Sequence, residues 1–374
     1  MRTYISVLVL LLLLYGCTSS VDKTIYFAEA TNQKPQISVT ELNYKPFDLE
    51  HIESSYIGLL DVCADKIMFV DKKFCYVFLF DKDGHYIKRY LGQGPGPKEL
   101  ATGVIDGFTK IEDGFLFLGG GNDCHLYNNQ FEYQDKYIID KGSMNSKEGY
   151  DAPWIYTMTY ENMQMKSYKQ YLYYTVYSEY DDMNFIDSPE EYFAKSCYLA
   201  KMNLESGKVE KMFGKYPSVY DMQKTLKQIS FVNFDITSSG NFIVSFEGDS
   251  LIYEYDIDFN PLKTYGYAGR EMRMPERNLS TFYLFKKYYR SSRKESGYYT
   301  GINYIDETQT LFRTYKRGKS STRDGLQIYQ EGILIGDVDV PKGFKVLGYI
   351  APYYYATCGI DEENERIELF KFVI

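Results

Sequence analysis

The sequence predicts an all-β chain, a six-bladed β-propeller of four-stranded antiparallel blades. Three observations predict it. Short strand patterns separated by tight turns recur from Lys66 onward. Each clear unit leaves through a glycine at a nearly constant offset from the Asp or Asn that opens its last turn. Aromatic residues are abundant, with 40 Tyr and 24 Phe against a single Trp, a composition that suits strands better than helices.

The chain opens on Met1-Arg2, an apolar block from Ile5 to Leu14, and then Leu14-Tyr15-Gly16-Cys17. A positive residue, an apolar run and a small residue before cysteine have the layout of a secretory signal. The block is too short to cross a bilayer, which takes roughly 20 apolar residues. Leu-Tyr-Gly-Cys resembles the lipobox of bacterial lipoproteins: small Gly16 admits the peptidase, and the Cys17 thiolate takes the diacylglycerol. On that reading residues 1–16 are an N-terminal lipoprotein signal peptide, Cys17 is the lipid attachment site, and residues 17–35 are a polar tether. The alternative is an ordinary signal peptide with an incidental cysteine. No second apolar run of that length follows, so the mature chain is expected to sit on a membrane without crossing it. Cys63, Cys75, Cys124, Cys197 and Cys358 remain, an odd number. Buried thiols are expected, with a disulfide as the other possibility.

Residues 36–374 form the propeller domain on this reading. Its first unit runs Ile67-Met68-Phe69-Val70, then Cys75-Tyr76-Val77-Phe78-Leu79-Phe80, the turn Asp81-Lys82-Asp83-Gly84, and His85-Tyr86-Ile87-Lys88-Arg89-Tyr90. The order returns around Asn128, Asn203 and Asp256, at intervals of 47, 75 and 53 residues. Crossover glycines follow after 11, 14, 11 and 10 residues, at Gly92, Gly142, Gly214 and Gly266. Asp or Asn opens such a turn by accepting from its own backbone two residues on, and glycine supplies the positive φ of a sharp reversal. A fifth unit turns near Ile328-Tyr329-Gln330-Glu331-Gly332, and a sixth contains Tyr353-Tyr354-Tyr355-Ala356-Thr357 and a last strand from Ile367 to Val373. A ring must close, and the alternating Gln36-Ile37-Ser38-Val39-Thr40-Glu41-Leu42 is the predicted closing strand.

Two inserts interrupt the repeat. Residues 179–191 carry Glu179, Asp181, Asp182, Asp187, Glu190 and Glu191; residues 286–294 carry Lys286, Lys287, Arg290, Arg293 and Lys294. Each reads as a solvated loop or short helix, or as half of a partner site if both lie on one face of the ring.

The sharpest motif is Leu91-Gly92-Gln93-Gly94-Pro95-Gly96-Pro97-Lys98-Glu99-Leu100. Its core, Gly94, Gly96, Pro97, Glu99 and Leu100, resembles the Gly-x-Gly-Pro-x-Glu signature of six-bladed propeller lipoproteins from Bacteroides-type bacteria, similar to the TolB-like propeller group. The later crossovers, Gly214-Lys215-Tyr216-Pro217 and Gly266-Tyr267-Ala268-Gly269, keep a glycine and lose the glutamate. The resemblance implies architecture and a cell-envelope location in a Gram-negative bacterium, lipid-anchored at the outer membrane. Gly92, Gly94, Gly96, Pro97 and Glu99 read as a structural crossover, with an anion-binding nest of backbone amides as the other reading.

Chemistry is sparse. His51, His85 and His125 are the three histidines, and none has another within four residues, so no metal site is expected. Asp81-Lys82-Asp83-Gly84 opens like a calcium loop but lacks the later ligands. No nucleophile elbow, phosphate loop or cofactor motif occurs. A net charge of −9 excludes a nucleic-acid face. Lone Trp154 is a candidate binding residue, with a buried anchor as its alternative. The functional expectation is a binding or scaffolding module for a protein or glycan partner rather than an enzyme. The alternative is a propeller hydrolase or lyase with its active site at the central channel.

Overall fold

The computed structural model describes residues 25–96, 99–101, 103–120, 123–139, 154–157, 163–180 and 182–374, with the backbone alone for 154–157 and Glu179. It is a six-bladed propeller whose blades are four-stranded and antiparallel. Strand β1 (Tyr44–Asp48) precedes blade 1, which is β2 (Gly58–Cys63), β3 (Lys66–Asp71), β4 (Tyr76–Phe80) and β5 (Tyr86–Leu91). Blade 2 is β6 (Ile105–Ile111), β7 (Gly114–Gly119), β8 (Asp123–Asn128) and β9 (Tyr133–Ile138). Blade 3 combines β11 (Met165–Tyr168), β12 (Tyr171–Thr175), β14 (Leu199–Asn203) and β15 (Val209–Phe213); beside it β10 (Trp154–Thr157) pairs with β13 (Tyr177–Glu179). Blade 4 is β16 (Val232–Ile236), β17 (Phe242–Phe246), β18 (Ile252–Tyr255) and β19 (Pro261–Tyr265). Blade 5 is β20 (Tyr298–Ile305), β21 (Thr310–Lys316), β22 (Asp324–Gln330) and β23 (Ile333–Val340). Blade 6 takes β24 (Lys345–Ile350), β25 (Tyr353–Asp361) and β26 (Arg366–Phe372) from the C-terminus and β1 as its outer strand.

The predicted turns form as their chemistry requires. Asp81 Oδ1 accepts from Asp83 N and His85 N at 2.9 and 3.0 Å, and Asn128 Oδ1 from Gln130 N and Glu132 N, both at 2.9 Å. Asp256 repeats the arrangement in blade 4, and in blade 3 Asn203 Oδ1 accepts from Glu205 N and Ser206 N. Gly92, Gly214 and Gly266 all have positive φ. Gly142 lies outside the described residues.

Each inter-blade layer is a separate apolar cluster. Successive residues of a strand point to opposite faces, so in β3 Ile67 and Phe69 face Leu347, Tyr355 and Leu369 of blade 6, whereas Met68 and Val70 face Phe115, Phe117 and Tyr127 of blade 2. Four more clusters of this kind join blades 2 to 3, 3 to 4, 4 to 5 and 5 to 6. Burial on both faces explains why second strands such as Phe242–Phe246 are apolar almost throughout. Tyrosine supplies much of this packing: Tyr173, Tyr198, Tyr255, Tyr299 and Tyr355 are all fully buried. Polar bolts add direction. Arg313 of β21, itself fully buried, donates to Ser245 Oγ at 2.8 Å and to the carbonyls of Asp249 and Ser250 in blade 4, and stacks 3.3 Å over the Tyr299 ring. The five described cysteines are free thiols, with Cys75, Cys124 and Cys197 buried.

Closure differs from expectation. The last blade is completed by β1, paired Tyr44↔Phe372 through Asp48↔Glu368, and not by residues 36–42. Pro46 hides this strand in the sequence, yet an outermost strand tolerates proline because one edge needs no donor. Residues 36–39 instead lie along β23, with Gln36 N donating to Leu334 O and Val39 against Gly336. Residues 25–35 also contact the domain: Ala30 bridges Thr264 of β19, Asn32 Oδ1 accepts from Gly266 N, and Phe27 packs edge-on against Tyr253. The N-terminal segment therefore passes along blades 4, 5 and 6 in turn before closing the ring.

Candidate functional site

Antiparallel blades sort their connections by face. Links between first and second strands, and the Asx turns between third and fourth, leave one face of the ring. Links between second and third strands and from blade to blade leave the other. Among the described residues the long inserts fall on that second face: 176–180 with 182–198, 214–231 and 266–297. Their helices are α1 (Pro189–Lys195), α2 (Val219–Met222) and α3 (Phe282–Glu295), with a 3-10 turn at Leu226–Ile229.

The acidic and basic inserts meet there. Phe185 packs edge-on against Phe285 of α3 at 5.3 Å, and Tyr177 links Phe185 to Phe231 at 6.0 and 5.7 Å. These rings, with Tyr289, wall a cavity of about 710 Å³, within the size range of small-molecule sites. Asp182 and Asp187 stand exposed at its edge, while Lys227 and Gln228 are buried in its wall. Helix α3 begins with Thr281 Oγ1 accepting from Leu284 N; in its first half Phe282 and Tyr283 are 64% and 68% exposed, while Phe285 rests on Phe185. Its second half is bolted down. Arg293 Nη1 and Nη2 each lie 2.7 Å from the Glu247 carboxylate, and the guanidinium stacks over Phe231 and Tyr298. Sequence reasoning gave a shared face only as the alternative to two solvated segments and missed the cavity; the Phe282, Phe285, Tyr289 spacing along one helix face was its signal.

A second group converges on the ring axis, where the first strands of the blades face one another. Asp235 of β16 lies 2.8 Å from Lys166 Nζ of β11 and accepts from Tyr304 N of β20 at 2.9 Å. Burial pushes the Asp61 carboxyl of β2 up, against the pull of Lys166 and Lys345. Lys345 of β24 keeps solvent contact, yet the surrounding protein and then Lys166 hold its amine below the usual lysine range. No motif marked these four residues, because they come from four blades.

The first crossover closes on itself. Gly94 N donates to Leu100 O at 3.2 Å, Leu100 N to Gly92 O at 2.7 Å, and Gly96 N to Glu99 Oε2 at 2.8 Å. The Glu99 carboxylate thus caps its own loop at Gly96 N, while Leu100 is buried beneath and Tyr127 Oη donates to Glu99 O. Pro97 lies outside the described residues, as does Cys17. Trp154 has a described backbone, opposite Glu179 and one strand away from Tyr177 and Ser178 of the cavity. The histidines are dispersed: His51 pairs with Tyr56, His85 with Asp81, and buried His125 with Asp123 at 2.7 Å. Among the described residues no three potential metal ligands cluster.

No protein-family model and no curated protein matches the chain. Its fold is similar to that of a DUF4221-family protein from Bacteroides vulgatus, at TM-score 0.64 and 14% identity over 89% of this chain and 98% of that one. It is also similar to a protein of Bacteroides fragilis provisionally named as exported, at TM-score 0.53 and 12% identity over 90% and 97%. At such identities the likeness establishes what the geometry already showed, a six-bladed propeller with structural neighbours among Bacteroides proteins.

Proposed function

We propose that this chain is an extracytoplasmic propeller, lipid-anchored through Cys17 at the outer membrane, that works as a binding module for a protein or glycan partner on its insert face. The aromatic cavity between the two oppositely charged inserts carries this reading. The exported neighbour supports the compartment. The eight residue steps from Cys17 to Ile25 reach about 27 Å when extended, so a lipid on Cys17 would hold the rim of blade 4 close to the membrane.

Two measurements test it. Cys17→Ser should move the protein from the membrane to the soluble fraction, and unchanged membrane retention would remove the anchor. Cross-linking in the native envelope should capture a partner whose yield falls in Phe285→Ala and Phe231→Ala but not in Asp61→Asn; equal capture by all would move the site off the insert face.

The axial group favours a second reading, a hydrolase or lyase. Asp61, with its carboxyl pushed up, and Lys345, with its amine pushed down, have the complementary shifts of an acid and base pair. Turnover of lactones or uronic-acid polysaccharides that disappears in Asp61→Asn would establish it, and inactivity of the wild type on both would dismiss it for these substrates.

A further inference from the structure

The cavity's polar groups differ in how well they are satisfied, and that difference selects a ligand. Asp182 and Asp187 stand at the edge in water, where solvent screens them. Lys227 is 3% exposed and is the one cationic side chain among the described residues lining the cavity. Among the described residues its Nζ donates one hydrogen bond, to Ile186 O at 2.8 Å. An ammonium offers three donors. Burial already pushes this amine below its usual range, with Asp187 offsetting only part of the effect. Arg293, behind the Phe231 ring, is satisfied by Glu247 and cannot supply a counter-charge deficit of its own. Beside Lys227, Gln228 donates to Arg277 O and Ser292 Oγ, which holds this wall in place.

Aromatic walls alone would suit a cation as well as a neutral ring. A buried, under-bonded ammonium in the same wall reverses that preference, because charges act most strongly where water is excluded. Resting on the insert-face reading above, we infer that the cavity takes an aromatic ring bearing a carboxylate, the ring among Phe185, Phe231 and Phe285 and the carboxylate on Lys227 Nζ. A free aromatic acid and the C-terminal aromatic residue of a polypeptide share this chemistry.

Calorimetry on the full chain with three isosteric probes tests it: 3-phenylpropionate, 3-phenylpropan-1-ol and 3-phenylpropylamine. The acid should bind about ten-fold more tightly than the alcohol, as a charge-assisted bond gives, and the amine most weakly. In Lys227→Met the acid's advantage should fall to within about two-fold while alcohol binding stays, and Phe285→Ala, on the exposed helix, should weaken acid and alcohol alike. An alcohol or amine that binds at least as well as the acid overturns the anion inference but leaves the cavity as a site. Binding of none of the three overturns the cavity itself. An acid preference that survives in folded Lys227→Met overturns the role of Lys227; if that variant does not fold, the wild-type series decides alone. N-acetyl-Gly-Gly-Phe separates the sources: tighter binding than 3-phenylpropionate, lost in its C-terminal amide, assigns a polypeptide terminus, and weaker binding assigns a free acid.

Discussion

Glu99 reaches back over its own loop, and a side chain added at Gly94 or Gly96 would meet its carboxylate first. Neither glycine has positive φ, so what they provide is space. Because the obstacle is the end of a flexible side chain, Gly94→Ala should cost about 1 kcal/mol, chiefly the lost Glu99 bond. In a Glu99→Ala background the same change should cost much less, a coupling that denaturant titration of the double-mutant cycle reads directly. Asp123 makes a pH prediction. Burial works against its charge, but bonds from His125 at 2.7 Å and Lys136 at 3.1 Å prevail and pull the carboxyl down to about 2. The folded value lies below the unfolded one, so this group's stabilisation is full above about pH 4 and is lost as pH falls through about 2. Asp123→Asn should flatten that acid limb, by about 2 kcal/mol at most, in melting curves taken between those values. The Asx turns were legible because donor and acceptor lie within four residues. Asp123 was not singled out, because its weight comes from burial, from His125 on its own strand and from Lys136 on the neighbouring one, and only the fold shows that all three act at one carboxylate.

Helix α3 shows how an element can be half structure and half site. Its C-terminal half is fastened by Arg293 to Glu247, both largely buried; its N-terminal half carries Phe285 and Tyr289 over open space. Removing one partner of a buried pair strands the other charge, so Glu247→Ala should destabilise by about 3 kcal/mol. Asp83, paired with Lys371 at 2.7 Å on the solvent side of the domain, should cost far less when replaced by Ala. Chemical denaturation of both variants checks the contrast; equal losses would mean that Arg293 finds water when Glu247 is gone. The helix itself could be anticipated as a basic insert. That its aromatic face would overhang Phe185, 100 residues earlier in the chain, could not.

At the scale of the molecule the ring is closed by five residues. A chain beginning at Tyr44 keeps β1 and should fold with a lowered melting temperature, having lost the contacts of Phe27, Ala30, Asn32 and Val39. A chain beginning at Leu49 exposes the edge of β26, where Phe370 and Phe372 lose their partners. It should aggregate or lose cooperative unfolding, as size-exclusion chromatography and thermal circular dichroism would show. A cooperative monomer from the shorter chain would mean that the layer between blades 5 and 6 suffices alone.

The sequence by itself determined the blade. Short apolar strand patterns, and in the first four units an Asx residue opening the last turn and a glycine after it, act between neighbours along the chain, so they can be read one unit at a time. Tertiary structure decided what those units jointly make. The closing strand is recognised by its partner β26 and not by its own pattern, which Pro46 breaks. The cavity and the axial charges exist because a ring brings residues from several blades to one face or one line. The axial group has no local spacing to betray it, since its members are set by the rotation from blade to blade, and the cavity shows locally only the aromatic stripe of one helix.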